Sequence, residues 1–317
     1  MIDAHLHINF NGLTKDNFIN YLDRNGFEKA WLLTWDEIEP EKKKWDFQNL
    51  NIEDVWDLYE KYPDKVVPFY APDPLRANAL ELFIKWHKKG VKGYGELKST
   101  IRWSDKRLDK ILDYLNENKL PLIFHIENRS NRIIEFDKTK FYGEILNKIL
   151  HSKLVNYFSE PLLEFLGKYL DFDKIPGFYK FPGYMLDFIE LEERLKQYPN
   201  IKFIAHGPFW WTNISTNELY RKYPKGKIQD NGIIIRLLSV YNNLYCDISG
   251  LGGYNALNRD CVYSEKFMIR FQDKIVFGTD NYEFDLIKLL NKKKINNFLN
   301  TITKINPKKI LEWNNYV

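Results

Sequence analysis

Cysteine is nearly absent from this chain: Cys246 and Cys261 are the only two in 317 residues. That is too few for a disulfide framework, and their spacing is not that of a zinc knuckle, which fits a reducing compartment. Long apolar runs are also missing. No stretch reaches the roughly 18 residues of a membrane helix, and the opening Met1-Ile2-Asp3-Ala4-His5 has neither the basic segment nor the apolar stretch of a signal peptide. A cytoplasmic protein with no membrane attachment is therefore expected. Charge of one sign is scarce as well, because 47 Lys and Arg stand against 43 Asp and Glu with the two signs interspersed. Such a balance argues against nucleic acid as a partner.

What is present suffices for a large core. Hydrophobic residues make up 44% and aromatics 16% of the chain, so nothing suggests disorder. The length exceeds the roughly 150 residues of an average domain, but α/β barrels of about 250 residues or more fold as one unit. Eight short runs rich in β-branched and aromatic residues recur: Met1 to His5, Lys29 to Trp35, Val66 to Ala71, Val91 to Leu97, Pro121 to Ile126, Ile201 to Gly207, Leu244 to Ser249 and Ile275 to Asp280. Between them lie amphipathic stretches such as Ile52 to Tyr62, Leu75 to Lys89, Asp105 to Asn118 and Leu186 to Tyr198. Strands alternating with helices imply βαβ units in a parallel sheet. Eight such units, with no Gly-rich phosphate fingerprint after the first strand, predict a closed (β/α)8 TIM barrel of the α/β class.

A single domain spanning residues 1–317 is expected, with a long insertion at about 127–184 after the fifth strand and a shorter one from Phe209 to about Gln229. The first insertion reads as a lid or helical subdomain, with helical pieces at Phe141 to His151 and Glu160 to Asp171 followed by a Gly/Pro/aromatic stretch from Ile175 to Tyr184.

Four of the six histidines fall at the C-terminal ends of predicted strands, the barrel face on which active sites are built. His5 and His7 are two apart, so an extended chain directs both into the barrel mouth. Closure of the barrel sets them beside Asp280 at the end of the eighth strand. Imidazole nitrogen and carboxylate oxygen together suit a divalent cation, Zn2+ above all. His125, ending the fifth strand, completes a three-histidine, one-carboxylate set. His206, ending the sixth, serves either a second ion or a substrate oxygen. Glu96, ending the fourth, is the candidate bridge between two ions; its bland alternative is a pair with Lys98 or with a cationic side chain of the insertion loop. Asp247 at the end of the seventh strand reads equally as a fold-supporting hydrogen bond or a substrate contact. Trp210, within Phe209-Trp210-Trp211, is expected to wall the pocket, and Arg129 and Arg132 to meet a substrate anion, the alternative being covered insertion surface and solvated arginines.

The set Asp3-Ala4-His5-Leu6-His7, Leu120-Pro121-Leu122-Ile123-Phe124-His125, Ala205-His206-Gly207, Leu244-Tyr245-Cys246-Asp247-Ile248-Ser249-Gly250 and Val276-Phe277-Gly278-Thr279-Asp280 resembles the amidohydrolase superfamily, specifically its amidohydrolase-2 branch of metal-dependent hydrolases and decarboxylases. The segment Tyr62-Pro63-Asp64-Lys65-Val66-Val67-Pro68 and onward to Pro74 belongs to the same resemblance. It implies that Asp280 touches the metal and takes the proton from bound water while His206 assists at the substrate. Glu96 departs from the branch pattern toward TatD-like two-metal nucleases, so one ion and two both stay open. The expected function is metal-dependent hydrolysis of a C–N or C–O bond (amide, lactone or ester) in a small organic substrate. The alternatives are a non-oxidative decarboxylase, a two-metal phosphodiesterase, or an inactive ligand-binding barrel; a homo-oligomer stays open.

Overall fold

The computed structural model describes residues 1–36, 49–133, 169, 178–216, 222–229, 232–282 and 296–312. Two compact units separate: one comprises residues 1–38, 49–127 and 184–317, the other 39–48 and 128–183.

The first unit carries eight parallel strands: β1 (Ile2–Leu6), β2 (Lys29–Leu32), β3 (Val66–Pro68), β4 (Tyr94–Leu97), β5 (Pro121–His125), β8 (Lys202–His206), β9 (Leu244–Asp247) and β10 (Ile275–Val276). Seven fall within the runs predicted from sequence, and β1 runs one residue past its predicted end at His5. Continuous ladders join β1-β2-β3 and β10-β9-β8-β5-β4. Two seams complete the ring. At one, a parallel bridge links Phe69 to Gly93, and Lys92 N donates to Pro68 O at 2.8 Å. At the other, Ala4 N donates to Phe277 O at 2.9 Å and Asp280 N to His5 O at 2.8 Å.

Alternation along the strands sorts the core into two layers. Ile2, Ala4, Trp31, Val67, Phe69, Ile123, Ile204, Tyr245 and Val276 pack together inside the ring. Their neighbours Leu32, Leu122, Phe124, Phe203, Ala205, Leu244 and Cys246 pack outward under the helices. Parity therefore carries His125, His206 and Asp247 inward, each two residues beyond an inner-layer residue. On β1 the register shifts between Asp3 and Leu6. Ala4 is inner and Leu6 outer, so this shift changes the parity and leaves His5 and His7 free to face the mouth.

Crossover helices follow α1 (Phe18–Asn25): α2 (Ile52–Lys61), α3 (Ala79–Lys89), α4 (Lys106–Glu117), α5 (Phe188–Gln197), the short α6 (Pro208–Thr212), α7 (Ile233–Val240), α8 (Gly250–Arg259), α9 (Cys261–Phe271), α10 (Asn296–Asn300) and α11 (Asn306–Glu312). Helix α4 shows why they form where they do. Asp105 caps it by accepting from Arg107 N, and Leu108, Ile111, Leu112 and Leu115 make the buried stripe. Helix α3 starts at Ala79, later than the predicted Leu75, because Asp73, Arg76 and Asn78 hold the preceding turn through Arg76 N→Asp73 O and Ala79 N→Arg76 O bonds. Among the described residues no helix is long and apolar enough to cross a membrane.

In the second unit, β6 (Ser130–Ile133) and β7 (Phe178–Phe181) form an antiparallel pair. Sequence did not suggest these strands, since Ser130-Asn131-Arg132-Ile133 is short and polar. The predicted helices at 141–151 and 160–171 lie outside the described residues.

Two outer helices are pinned by Glu192 of α5. Its carboxylate takes a forked pair of hydrogen bonds from Arg236 of α7, at 2.8 and 2.6 Å, and a third from Tyr241 at 2.6 Å. Arg236, then Tyr241, hold its pKa down at about 2 from an ordinary 4.5. A carboxyl with a depressed folded-state pKa stabilises the fold above its unfolded value and loses that contribution as pH falls toward the folded one. Glu192→Gln is therefore expected to melt lower than wild type at pH 7. The gap in melting temperature should close between pH 4.5 and about 2; a gap independent of pH would contradict the assignment.

Candidate metal centre

The mouth of the barrel is a buried polar cluster in which each ring is held by a specific partner. His5 is fully buried, and its Nδ1 lies 2.7 Å from Asp247 Oδ2. His7 turns its Nδ1 to the carbonyl of Leu33 at 3.0 Å, while Asn281 clamps its backbone, accepting from His7 N at 2.8 Å and donating to His7 O at 2.7 Å. A carbonyl and a carboxylate both accept, so in the neutral tautomers each Nδ1 carries the hydrogen. The two Nε2 lone pairs then face each other 3.2 Å apart. Asp280 Oδ1 stands 3.7 Å from His5 Nε2 and 3.6 Å from His7 Nε2, and Glu96 Oε2 lies 3.5 Å from His7 Nε2. Ligands about 2.1 Å from an ion in a tetrahedron stand about 3.4 Å apart. Opposed lone pairs ringed by two carboxylates at that spacing fit a divalent cation.

His206 faces the same point from β8. Its Nδ1 is 2.9 Å from Asp247 Oδ1 and 2.9 Å from Ser249 Oγ, and its Nε2 is 3.6 Å from Asp280 Oδ2. Asp247 thus orients two imidazoles with its two oxygens, and Ser249 Oγ donates to the same carboxylate. Burial pushes the Asp247 carboxyl up, but His206 and His5 outweigh it and hold the group ionised, well below the ordinary range. Asp280 is lowered in the same way, burial being overcome by His206 and His5. For His206 burial works downward, yet Asp247 and Asp280 raise its pKa well above 6.5.

His125 stands differently from its expected place. The structure gathers His5, His7 and Asp280 into one group and Glu96, His125 and His206 into another. His125 Nδ1 bonds Glu96 Oε1 at 2.8 Å, whereas its buried Nε2 makes no hydrogen bond and sits 3.4 Å from Glu127 Oε2. Glu96 lies between the groups, one oxygen toward each. Burial alone would raise its pKa; His125 foremost, with His7 and Lys98, brings it well below 4.5.

Trp210 does not reach the mouth. It is fully buried behind the strand, its ring 6.0 Å from Phe188, and it does not line the cavity. Its neighbour Trp211 is the one that touches the site, donating from Nε1 to Asp247 O at 3.1 Å. Helical geometry after Gly207 turns these aromatics inward to the core. Arg129 is exposed, belongs to the second unit, and its backbone N bonds Asn128 Oδ1 at 2.8 Å; the side chain of Arg132 lies outside the described residues. Sequence reasoning missed Glu127, Ser249 and Asn281. A period-two reading past each strand end (His125 to Glu127, Asp247 to Ser249) would have found the first two.

A family model described as Amidohydrolase, the amidohydrolase-2 family, matches residues 2–286. The chain belongs to the amidohydrolase family. It is an enzyme of the amidohydrolase type, from a metal-dependent family whose members are TIM barrels. A probable 2-pyrone-4,6-dicarboxylic acid hydrolase from Acinetobacter baumannii shares the fold at a TM-score of 0.53 and 13% identity, over 98% of each chain. A putative enzyme of the same description from Pseudomonas putida gives 0.53 at 9% identity, over 98% of this chain and 97% of that one. An uncharacterised TIM-barrel protein from Bordetella bronchiseptica gives 0.52 at 12% identity, over 95% and 83%. A search of curated proteins returned no match.

Removal of the carboxylate that orients two rings should loosen both. Asp247→Asn is expected to lower zinc affinity about 10- to 100-fold, the usual cost of losing a histidine's supporting partner. Chelator competition measures it, and an unchanged affinity would show that Asp247 does not orient the ligand rings.

Proposed function

We propose that this amidohydrolase cleaves a C–N or C–O bond, in an amide, lactone or ester of small size, using water activated by a divalent cation, zinc foremost. His5, His7 and Asp280 would hold the cation, with Glu96 beside them. The observation that carries this reading is the pair of imidazole lone pairs facing each other at 3.2 Å with Asp280 3.6 and 3.7 Å away. A bound divalent cation supplies Lewis acidity, lowering the pKa of water from 15.7 toward about 7.

The chain's own groups do the rest. Asp280 is ionised and backbone-anchored to β1 through the hydrogen bond its N–H donates to His5 O at 2.8 Å, so its carboxylate is fixed where it takes the proton from the attacking water. His206, locked by Asp247 and 3.6 Å from Asp280 Oδ2, polarises the substrate oxygen and passes a proton toward the leaving group. Its ring cannot rotate away without breaking the bonds to Asp247 and Ser249. Glu96, with an oxygen toward each ring group, and His125 would accept a second ion if the site takes two.

Metal analysis of the purified protein should give at least one equivalent of metal, and a panel of esters, lactones and amides should include a substrate. Asp280→Asn is expected to cut turnover by about a thousandfold, within the range attributed to general-base catalysis, while the fold survives. Bound metal with no turnover on any compound would point to an inactive binding barrel, and a fully active Asp280→Asn would remove Asp280 from the chemistry.

A further inference from the structure

We infer that a second ligand site lies at the floor of the barrel, at the end opposite the candidate metal centre, and that it takes a small amphiphilic anion, an alkyl chain bearing one charged head. The inference is independent of the hydrolase reading, because none of its residues lines the mouth.

Topology gathers lysine at that floor. Six of the eight barrel strands are entered through one, at the first strand residue or one or two before it: Lys29, Lys65, Lys92, Lys119, Lys202 and Lys274. The same positions hold only three acids, Glu28, Asp64 and Asp273. Helix α11 lies across this end. Its Asn306 Nδ2 donates to the carbonyl of Ile275, the first residue of β10, at 2.6 Å, and Ile310 and Leu311 pack on the inner layer of the core. The same helix adds Lys308 and Lys309. Burial, and after it the charge of Lys309, pushes the pKa of Lys202 down. A neighbouring cation that disfavours another marks positive charge concentrated at short range.

Within this ring of lysines is a cavity of about 460 Å³. That falls inside the roughly 300–1,000 Å³ of pockets that hold small organic ligands. Ile2, Trp31 and Val67, inner-layer side chains of β1, β2 and β3, form its apolar wall together with Leu311 of α11. Lys29, which shares the inward face of Trp31 two residues on, and Lys308 also line it. No carboxylate of the described residues lies within ion-pair distance of either lysine. Of the two acids in the lining, Glu28 is met by Lys304 at 3.2 Å, so Asp64 alone opposes the pair.

The same wall holds an unmet donor. Trp31 is fully buried and stacks on Phe69 with ring centres 5.0 Å apart, and its Nε1 has no hydrogen-bond partner. An indole nitrogen can only donate, so what it lacks is an acceptor, and an oxygen of a seated ligand is one. Lysines, an unmet donor and an aliphatic wall together select both parts of the occupant. A bare inorganic anion would leave the apolar wall wet, and a neutral apolar molecule would leave the lysines unanswered. Each methylene group withdrawn from water adds about fourfold in affinity.

Calorimetric titration of the zinc-loaded protein with octanoate, octan-1-ol and acetate tests this. Octanoate is expected to bind saturably, about fivefold or more tightly than octan-1-ol, and far more tightly than acetate, which lacks the chain. Lys29→Gln and Lys308→Gln should each weaken octanoate about fivefold at unchanged zinc content, the scale of a partly exposed ion pair, and leave octan-1-ol as it was. Should Lys29→Gln fail to fold, the exposed Lys308 still decides. Asp280→Asn, at the mouth, should leave octanoate affinity unchanged. Affinity that falls in Asp280→Asn and not in the lysine variants would put octanoate on the metal and overturn the inference. Equal binding of octan-1-ol or of acetate would overturn it too. So would binding to phosphatidylglycerol vesicles with none to free octanoate, since the lysine ring would then be a membrane-facing surface and not a ligand site.

Discussion

One backbone hydrogen bond, from the amide of Asp280 to the carbonyl of His5, fixes the relation between the two ends of the barrel and with it the whole centre. It sits at a seam where the regular ladder has stopped. Because the bond joins the two backbones at the residues whose side chains meet, the distances among His5, His7 and Asp280 are set by main chain rather than by flexible side chains. Asp3 reinforces the same seam, accepting from Thr279 N at 3.0 Å and Thr279 Oγ1 at 2.7 Å.

Burial of so many polar groups would cost several kcal/mol per unpaired charge. The cluster avoids this by sharing. Asp247 serves two rings and a hydroxyl, Glu96 faces His7 with one oxygen and His125 with the other, and Asn281 satisfies the strand end through three bonds. Within this cluster, what stays unsatisfied faces the candidate ion positions: the two opposed imidazole nitrogens and the far nitrogen of His125. A protein tolerates such a concentration of unmet valences at sites that bind something.

Most of the barrel was legible in the sequence because period-two strands and period-3.6 helices alternate so regularly. The positions of His5, His7, Glu96, His206 and Asp280 followed from their places at strand ends. What escaped was finer than periodicity. A register shift on β1 cannot be seen from residue types, and whether His125 offers Nδ1 or Nε2 depends on a rotamer. Trp210 and Trp211 are indistinguishable in sequence, yet a helix of five residues buries one in the core and lays the other's indole against Asp247. In the strand pair of the second unit, β6 was hidden by its polar composition and β7 by the Gly/Pro/aromatic stretch that contains it, while the short helix α6 straddles the start of the second insertion.

The seam between β1 and β10 carries few main-chain bonds, yet it separates the very strands whose side chains face one another. A cation gripped by His5 and His7 from one edge and by Asp280 from the other would rivet the cylinder shut at its least-laced joint. Chemistry and architecture would then share one fastening, so that stripping the ion would loosen the vessel as well as silence it.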